Sequence, residues 1–284
     1  MLTQMSPQSW SHDGFRLAYH TVGHPSSPPL LFIHGWTSYR GVWRETIEAL
    51  KDRYYCVALD LLGHGDSDKP TQADYSIMAQ GRRVLALADA LGLKTFTLVG
   101  HSMGGQIALC IAALLAPARV VKTVDVAGVV TGRLSAGVER ITYPQVAFCS
   151  RFPWLYRLAR IQVRLRPMAQ FYYGWAWFYD IRRVSREAWY DSGQHCFQPG
   201  MAVPLYHCSQ AIHSLNLTPQ LAQVQAPTLI IFGKHDNTVP LHDALLAQQH
   251  IPDNQLVLLD ECGHFPMYEQ TSAYLKAVSG FLTA

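Results

Sequence analysis

Short apolar runs alternate with helical patterns along most of this 284-residue chain. The runs LLFIHG (30–35), YYCVALDLLGHG (54–65) and TFTLVG (95–100) each lead into glycine. Between them, segments 41–53 and 75–91 carry apolar residues at helical spacing. Strands that are buried on both faces of a parallel sheet have this continuous apolar character. The alternation therefore predicts βαβ units and an α/β fold with a doubly wound, mostly parallel sheet.

The same pattern continues towards both ends of the chain. Asp13-Gly14, a dipeptide that favours tight hairpin turns, lies between two runs of strand character. Ligands of open parallel sheets bind beyond the carboxyl ends of the strands, so we expect the functional residues there. The remaining predicted strands are 8–12, 15–22, 120–130, 226–233 and 254–261, and the remaining predicted helices are 104–116, 241–250 and 271–283.

Residues 132–216 differ in composition from the rest of the chain. They contain ten arginines and four acidic residues, which gives this segment a charge of about +6 within a chain whose net charge is +3. The aromatic run FYYGWAWFYD (171–180) also lies here. We predict an α/β core formed by 1–131 and 217–284, with 132–216 inserted as a helical cap or lid.

A serine nucleophile is predicted at position 102. Gly100-His101-Ser102-Met103-Gly104 follows a predicted strand and opens an apolar helix, and this G-x-S-x-G pattern places serine on a strained strand-to-helix turn. The helix N-terminus favours the negative charge that develops during attack on a carbonyl group.

A serine hydroxyl needs a base, and the base needs an orienting carboxylate. His264 follows the predicted strand 254–261, and Asp236 follows the strand 226–233. The chain order Ser, Asp, His fits this type of site. Asp125 is the rival carboxylate, but its setting reads as strand interior, so we assign the role to Asp236.

Acyl transfer also needs hydrogen-bond donors for the oxyanion. We predict the backbone N–H groups of Met103, directly after the nucleophile, and of Trp36, after His34-Gly35. The side chains of Trp36, His101 and Phe265 are candidates for the wall of the substrate pocket.

Together these motifs resemble those of serine-nucleophile, esterase-like or lipase-like α/β-hydrolase-fold proteins. The resemblance implies that the stretch from Asp60 to Asp68 is a structural loop. It disfavours the epoxide hydrolases and haloalkane dehalogenases, whose nucleophile is aspartate, because position 102 is serine. The matching stretches are His34-Gly35-Trp36, Asp60-Leu61-Leu62-Gly63-His64-Gly65-Asp66-Ser67-Asp68, Gly100-His101-Ser102-Met103-Gly104-Gly105 and the loops of Asp236 and His264.

The expected activity is hydrolysis of a carboxylic ester (EC 3.1.1.-) with a hydrophobic acyl or aromatic group, by a carboxylesterase-like or lipase-like enzyme. Two alternatives use the same triad: a carbon–carbon bond hydrolase acting on a dienoate-type substrate, and an acyl transferase or peroxidase-like enzyme. A carbon–carbon hydrolase would need a cap arginine aimed at Ser102. A binding protein that has lost the chemistry is a fourth hypothesis.

Three interpretations of a predicted cap helix, 154–166, remain open. Trp154, Leu158, Ile161 and Leu165 form an apolar stripe, and Arg157, Arg160 and Arg164 form a second stripe. The helix could cover the pocket, dock peripherally on anionic lipid, or point an arginine at a substrate carboxylate or phosphate.

Other classes of protein are disfavoured. The net charge is too small to indicate nucleic-acid binding, and no dinucleotide or phosphate-loop motif is present. We expect no cofactor and no metal, and the spacing of His195, His207 and His213 favours structural roles. The six scattered cysteines and the absence of a signal-like N-terminus in this sequence predict a cytoplasmic protein.

Overall fold

The computed structural model of the protein describes residues 7–156, 174–196 and 198–284. Eight strands in these ranges form one sheet, in the order β1-β2-β4-β3-β5-β6-β7-β8. The hairpin strand β2 runs antiparallel to β1 and β4, and all other neighbouring strands are parallel. The predicted α/β architecture is therefore confirmed. The strands are β1 (Gln8–His12), β2 (Phe15–Val22), β3 (Pro29–Ile33), β4 (Tyr55–Leu59), β5 (Phe96–His101), β6 (Val120–Val126), β7 (Thr228–Gly233) and β8 (Asn254–Leu259).

The helices occupy the predicted places, with some differences at their ends. The predicted helix 41–53 is divided into a 3-10 turn, Arg40–Trp43, and a short α-helix. The predicted helix 104–116 begins at Met103 and changes to a π-helical turn at Ile111–Leu115. The α-helices of four residues or more are α1 (Arg44–Leu50), α2 (Ile77–Ala90), α3 (Met103–Cys110), α4 (Tyr143–Arg151), Arg186–Cys196, Ala202–Ser214, Leu241–His250, Pro266–Glu269 and Thr271–Thr283.

The sheet is covered on both faces because its central strands are apolar on both faces. In β3, Leu31 and Ile33 join the core beneath α2 and α3, whereas Leu30 and Phe32 join the core beneath α1 and Thr271–Thr283. Successive side chains of a strand point to opposite faces, so one apolar strand contributes to both layers. Because β3, β5, β7 and β8 run in the same direction, the loops that follow them lie at one edge of the sheet.

The described part of the chain between β6 and β7 is helical. Its two ends meet, because the backbone N–H of Leu217 donates to the carbonyl of Val130 at 2.8 Å. A segment can therefore leave and rejoin the core without disturbing the sheet. The predicted helix 154–166 lies outside the described residues from position 157 onwards, as do 171–173 of the aromatic run.

In the described ranges, no helix combines the length and the apolar character needed to cross a bilayer. Among the described residues, the free thiols are those of Cys56, Cys110, Cys149, Cys208 and Cys262.

Candidate active site

Ser102 sits on a strained turn between β5 and α3. Its backbone angles are φ 57° and ψ −119°, a conformation that costs a non-glycine residue energy and that persists only where the surroundings enforce it. Three backbone hydrogen bonds do so: Ser102 N–H donates to Val126 O at 3.0 Å, and Ser102 O accepts from the N–H groups of Gln106 and Val129. The strained serine is held at the N-terminus of α3, as the G-x-S-x-G pattern predicts.

Gly104 allows this turn to pack against the end of β3. A β-carbon at position 104 would stand 2.6 Å from the carbonyl oxygen of His34 and would overlap the carbonyl of Ile33. Only glycine lets the helix approach the neighbouring strand so closely. The spacing of the motif is therefore a packing requirement of this fold.

Asp236 and His264 are joined by a short hydrogen bond. His264 Nδ1 and Asp236 Oδ2 are 2.8 Å apart, and the two side chains are 3% and 0% exposed. The other carboxylate oxygen, Oδ1, accepts from the backbone N–H groups of Thr238 at 2.7 Å and Val239 at 3.0 Å. A carboxylate with these partners accepts a hydrogen bond from Nδ1–H, which leaves Nε2 of the imidazole available as a base.

His101 links the serine turn to the His264 loop. Its Nε2 and the carbonyl oxygen of His264 are 2.8 Å apart. A carbonyl oxygen can only accept, so Nε2 carries the ring proton and donates this hydrogen bond. The two rings lie 4.6 Å apart, and burial holds the pKa of His101 well below its usual value. Ser102, the next residue, is thereby placed beside the His264 loop. Between the described residues, no hydrogen bond joins Ser102 Oγ to His264.

The loop after β3 is oriented by His34. Leu61 N–H donates to His34 Nε2 at 3.0 Å, so the ring proton is on Nδ1, which donates to Gly35 O at 2.8 Å. Since C=O and N–H of a trans peptide point in opposite directions, the N–H of Trp36 points away from this bond. Gly35 itself packs on Ser102.

The backbone N–H groups of Trp36 and Met103 are both available as donors. None of the hydrogen bonds between described residues uses either group. Met103 is the first residue of α3, and the first N–H groups of a helix have no partner within it. The indole of Trp36 is occupied separately, because its Nε1 donates to Leu205 O at 2.9 Å.

A buried ion-pair network holds the loop after β4. This is the stretch from Asp60 to Asp68, for which only the family resemblance implied a structural role. Asp60 is fully buried and accepts from the backbone N–H groups of Arg40 and Asp66, each at 2.7 Å. The guanidinium of Arg40 forms ion pairs with the carboxylates of Asp60 and Asp66. This network ties the loop after β4 to the loop that carries Trp36.

A turn at Trp175–Trp177, within the segment between β6 and β7, is hydrogen-bonded to the loops that carry Asp236 and His264. The carbonyl of Trp177 accepts from His264 N–H at 2.8 Å, and the carbonyl of Ala176 accepts from the Thr238 hydroxyl at 2.7 Å. Glu269, which is buried, accepts from Gly263 N–H at 2.7 Å. Sequence reasoning missed these contacts. Backbone carbonyls carry no residue signature, and Glu269 falls outside every motif.

Asp125, the rival carboxylate, is fully buried in β6. Neither of its oxygens has a hydrogen-bond partner among the described residues, and burial with the nearby charge of Asp243 raises its pKa to about 7. The structure thus joins Asp236, and not Asp125, to an imidazole. In the described residues, no group of three or more His, Cys, Asp or Glu residues is placed to hold a metal ion.

Comparisons with known proteins agree with this architecture. The family model for the alpha/beta hydrolase fold matches residues 28–271. The chain belongs to the α/β hydrolase fold family. Its fold is similar to that of the enol-lactonase from Burkholderia xenovorans LB400, with a TM-score of 0.82, 21% identity and coverage of 98% of this chain and 100% of that chain.

Two of the relatives whose names state an activity represent an esterase and a lipase. One is the pimeloyl-(acyl-carrier protein) methyl ester esterase of Nitrosomonas europaea, 28% identical over 85% of this chain and 90% of that protein. The other is monoacylglycerol lipase ABHD6 of Bos taurus, 26% identical over 96% of this chain and 81% of that protein. This α/β hydrolase therefore has both esterase and lipase relatives.

Proposed function

We propose that this protein is a serine hydrolase that cleaves a carboxylic ester with a hydrophobic acyl or aromatic group. The observation that carries the proposal is the buried hydrogen bond between His264 and Asp236, beside a strained serine at a helix N-terminus. Nucleophile, base and orienting carboxylate are the parts that acyl transfer requires. Names of esterase and lipase relatives support the same chemistry.

The reaction proceeds through an acyl-enzyme. Ser102 Oγ attacks the ester carbonyl while His264 Nε2 takes its proton, and Asp236 stabilises the imidazolium that forms. The C–O bond to the leaving alcohol then breaks, and His264 returns the proton to that alcohol. A water molecule, deprotonated by the same nitrogen, then attacks the acyl-enzyme. The bond between the acyl carbon and Ser102 Oγ breaks, His264 returns the proton to Oγ, and the acid is released.

The oxyanion of each tetrahedral intermediate is stabilised by two backbone N–H groups. We assign these to Trp36 and Met103, because both N–H groups are unpaired among the described residues. Met103 directly follows Ser102, and Trp36 directly follows Gly35, which packs on Ser102. Preorganised donors of this kind typically contribute about 10²- to 10³-fold in rate each.

An apolar substrate fits the aromatic surroundings of the site. Phe265 follows the proposed base and lies 4.7 Å from the ring of His101 and 5.2 Å from that of Phe178. The Trp36 ring makes an edge contact with Tyr143 at 5.2 Å. We therefore propose that 132–216 acts as the cap, and that Trp36 and Phe265 wall the pocket beneath it. His101, the third candidate, is buried and packs against Phe265, so we propose that it supports the wall.

The carbon–carbon hydrolase alternative receives no support from the described residues. All described arginines of the segment 132–216 are exposed, and none is buried towards Ser102. Arg182 and Arg183 pair with Asp180 and Glu261. Arg157, Arg160, Arg164 and Arg166 lie outside the described residues.

A reducing compartment fits the cysteines. Five of them are free thiols, and disulfides are rare in reducing compartments. We propose a cytoplasmic location on this ground.

The test combines a fluorophosphonate label with a chain-length series of p-nitrophenyl esters. We expect labelling and ester turnover by the wild type, and loss of both in Ser102→Ala by several orders of magnitude. Ser209→Ala, which removes another buried serine hydroxyl, is the matched control and should retain both. Turnover by Ser102→Ala at the wild-type rate, or labelling of the wild type without turnover of any ester, would overturn the proposal.

A further inference from the structure

Large apolar side chains are exposed mainly on the segment between β6 and β7. Nine large hydrophobic residues are exposed in the described parts of the chain, and six of them belong to 132–216. Scattered single residues of this kind are normal on a protein surface, whereas a concentration on one element marks an interaction site. The six are Ile141, Phe148, Phe152, Trp154, Trp175 and Tyr179.

Four of these residues surround α4. Ile141 and Phe148 are seven residues apart, so they lie on the same side of a helix, and the Phe148 and Phe152 rings are 5.2 Å apart. Trp154 follows in the 3-10 turn Pro153–Leu155 and is 64% exposed. We call Ile141, Phe148, Phe152 and Trp154 the α4 patch.

The opposite side of α4 already has a packing partner. Val146, two residues from Phe148 and hence on the far side of the helix, is buried in a cluster with Ala202 and Leu205. A surface helix usually turns its apolar side inward and its polar side outward. Helix α4 departs from this rule at Phe148, whose ring is exposed on the solvent side, and the exposed Ile141 and Phe152 lie just beyond the two ends of the helix.

Charge decides which occupant fits the patch. Arg140 and Arg151 flank it, both are exposed, and neither forms an ion pair with a described residue. The whole segment 132–216 has a charge of about +6, whereas the remainder of the chain is about −3. Two copies meeting through this face would bring like charges together. An anionic surface with an apolar interior complements both properties.

We propose that the α4 patch docks the protein peripherally on anionic lipid bilayers. Aromatic rings at the boundary between headgroups and acyl chains, with arginines beside the phosphates, are the typical composition of such an interface. The proposal concerns the location of the protein and holds whether or not Ser102 hydrolyses esters.

The experiment is flotation of the full chain with vesicles at low salt. One set of vesicles contains phosphatidylglycerol and phosphatidylcholine, and the other contains phosphatidylcholine alone. We expect binding only to the first set, weakening as salt is raised. The double variant Phe148→Ser with Phe152→Ser should bind at least about tenfold more weakly, because two rings no longer enter the interface.

Matched variants separate the contribution of the aromatic rings from that of the positive charge. Leu245→Ser alters an exposed leucine far along the chain, on Leu241–His250, and should bind as the wild type does. Arg140→Gln should weaken binding by about fivefold, the effect of one charge near an anionic surface. Ser102→Ala should bind normally, which separates this proposal from the proposed function. Circular dichroism of each variant verifies that it is folded.

Several results would overturn the proposal. These are a wild type that stays unbound at low salt, equal binding to both sets of vesicles, and a folded double variant that binds like the wild type. A wild-type dimer that becomes monomeric in the double variant, without lipid binding by either, would assign the patch to a second copy of the chain.

Discussion

Gly35 packs so closely on Ser102 that a β-carbon at position 35 would stand 2.9 Å from the Cβ of the serine. The same atom would lie 3.0 Å from Nδ1 and 3.1 Å from the carbonyl of His101. These neighbours belong to a strained turn and a buried ring, which have little freedom to move. The proposed oxyanion loop and the proposed nucleophile are thus one packed unit.

Gly35→Ala should therefore impair catalysis more than stability. A shift of about 1 Å in a catalytic group can cost about 10²-fold in rate, and overpacking typically costs about 1–3 kcal/mol. We expect kcat/KM for a p-nitrophenyl ester to fall by about 10²-fold in a variant that remains folded. The control is Gly280→Ala, where a β-carbon meets no atom within 4 Å in a helix. It should keep full activity, and equal activity of the two variants would contradict the packing argument.

Asp236→Asn should reduce turnover by about 10⁴-fold, because an amide in place of the carboxylate favours the wrong tautomer of His264. Asp125→Asn, at the rival position, should leave kcat/KM close to the wild-type value. Steady-state kinetics of both variants under identical conditions gives the ranking. The reverse ranking would assign the role of orienting carboxylate to Asp125 in β6.

His34 should make the protein less stable in acid. Burial lowers its pKa from 6.5 to about 4, so between these values the unfolded chain binds a proton that the folded chain does not. The free energy of unfolding should fall as pH decreases through this range, by on the order of 3 kcal/mol from this residue. His64, whose pKa burial lowers to about 3, acts in the same direction.

Urea unfolding at pH 7.5, 5.5 and 4.5 measures this dependence. His34→Gln has no charge to gain and should show a shallower loss of stability towards acid than the wild type. His242→Gln, at an exposed position, is the control and should follow the wild-type curve. Parallel curves for His34→Gln and the wild type would contradict the assignment.

Asp125 should have the opposite effect. Its pKa is raised from 3.8 to about 7, so the folded chain retains a proton that the unfolded chain loses, and stability should fall as pH rises through this range. At pH 8 the free energy of unfolding of Asp125→Asn should therefore exceed that of the wild type by up to about 4 kcal/mol. The variant should then unfold at a higher urea concentration. The two proteins should be similar at pH 4. The exposed substitution Asp253→Asn should change neither value.

The parts of the fold and site that were predictable are those with a local signature. Continuous apolar runs indicated the strands, and the spacing of Gly100 and Gly104 indicated the turn at Ser102 because a β-carbon at Gly104 has no room. Asp236 and His264 each follow a strand, and parallel strands bring such loops to one edge.

The remaining features depend on contacts between distant positions. Arg40 and Asp60 are twenty residues apart, and nothing in their neighbouring sequence indicates that they pair. The raised pKa of Asp125 depends on burial and on Asp243, which arrives from a different element. The carbonyls of Ala176 and Trp177 accept hydrogen bonds irrespective of side chain, so no residue pattern predicts them.

The order of the strands has a consequence for biosynthesis. Ser102 follows β5, whereas Asp236 and His264 follow β7 and β8, the last two strands on that side of the sheet. Translation runs from the N-terminus, so each nascent polypeptide passes through a period with its serine and without its imidazole. A ribosome-bound chain arrested before residue 264 should be inert, and the hydrolase would emerge only once the final strand and the loop beyond it have left the exit tunnel.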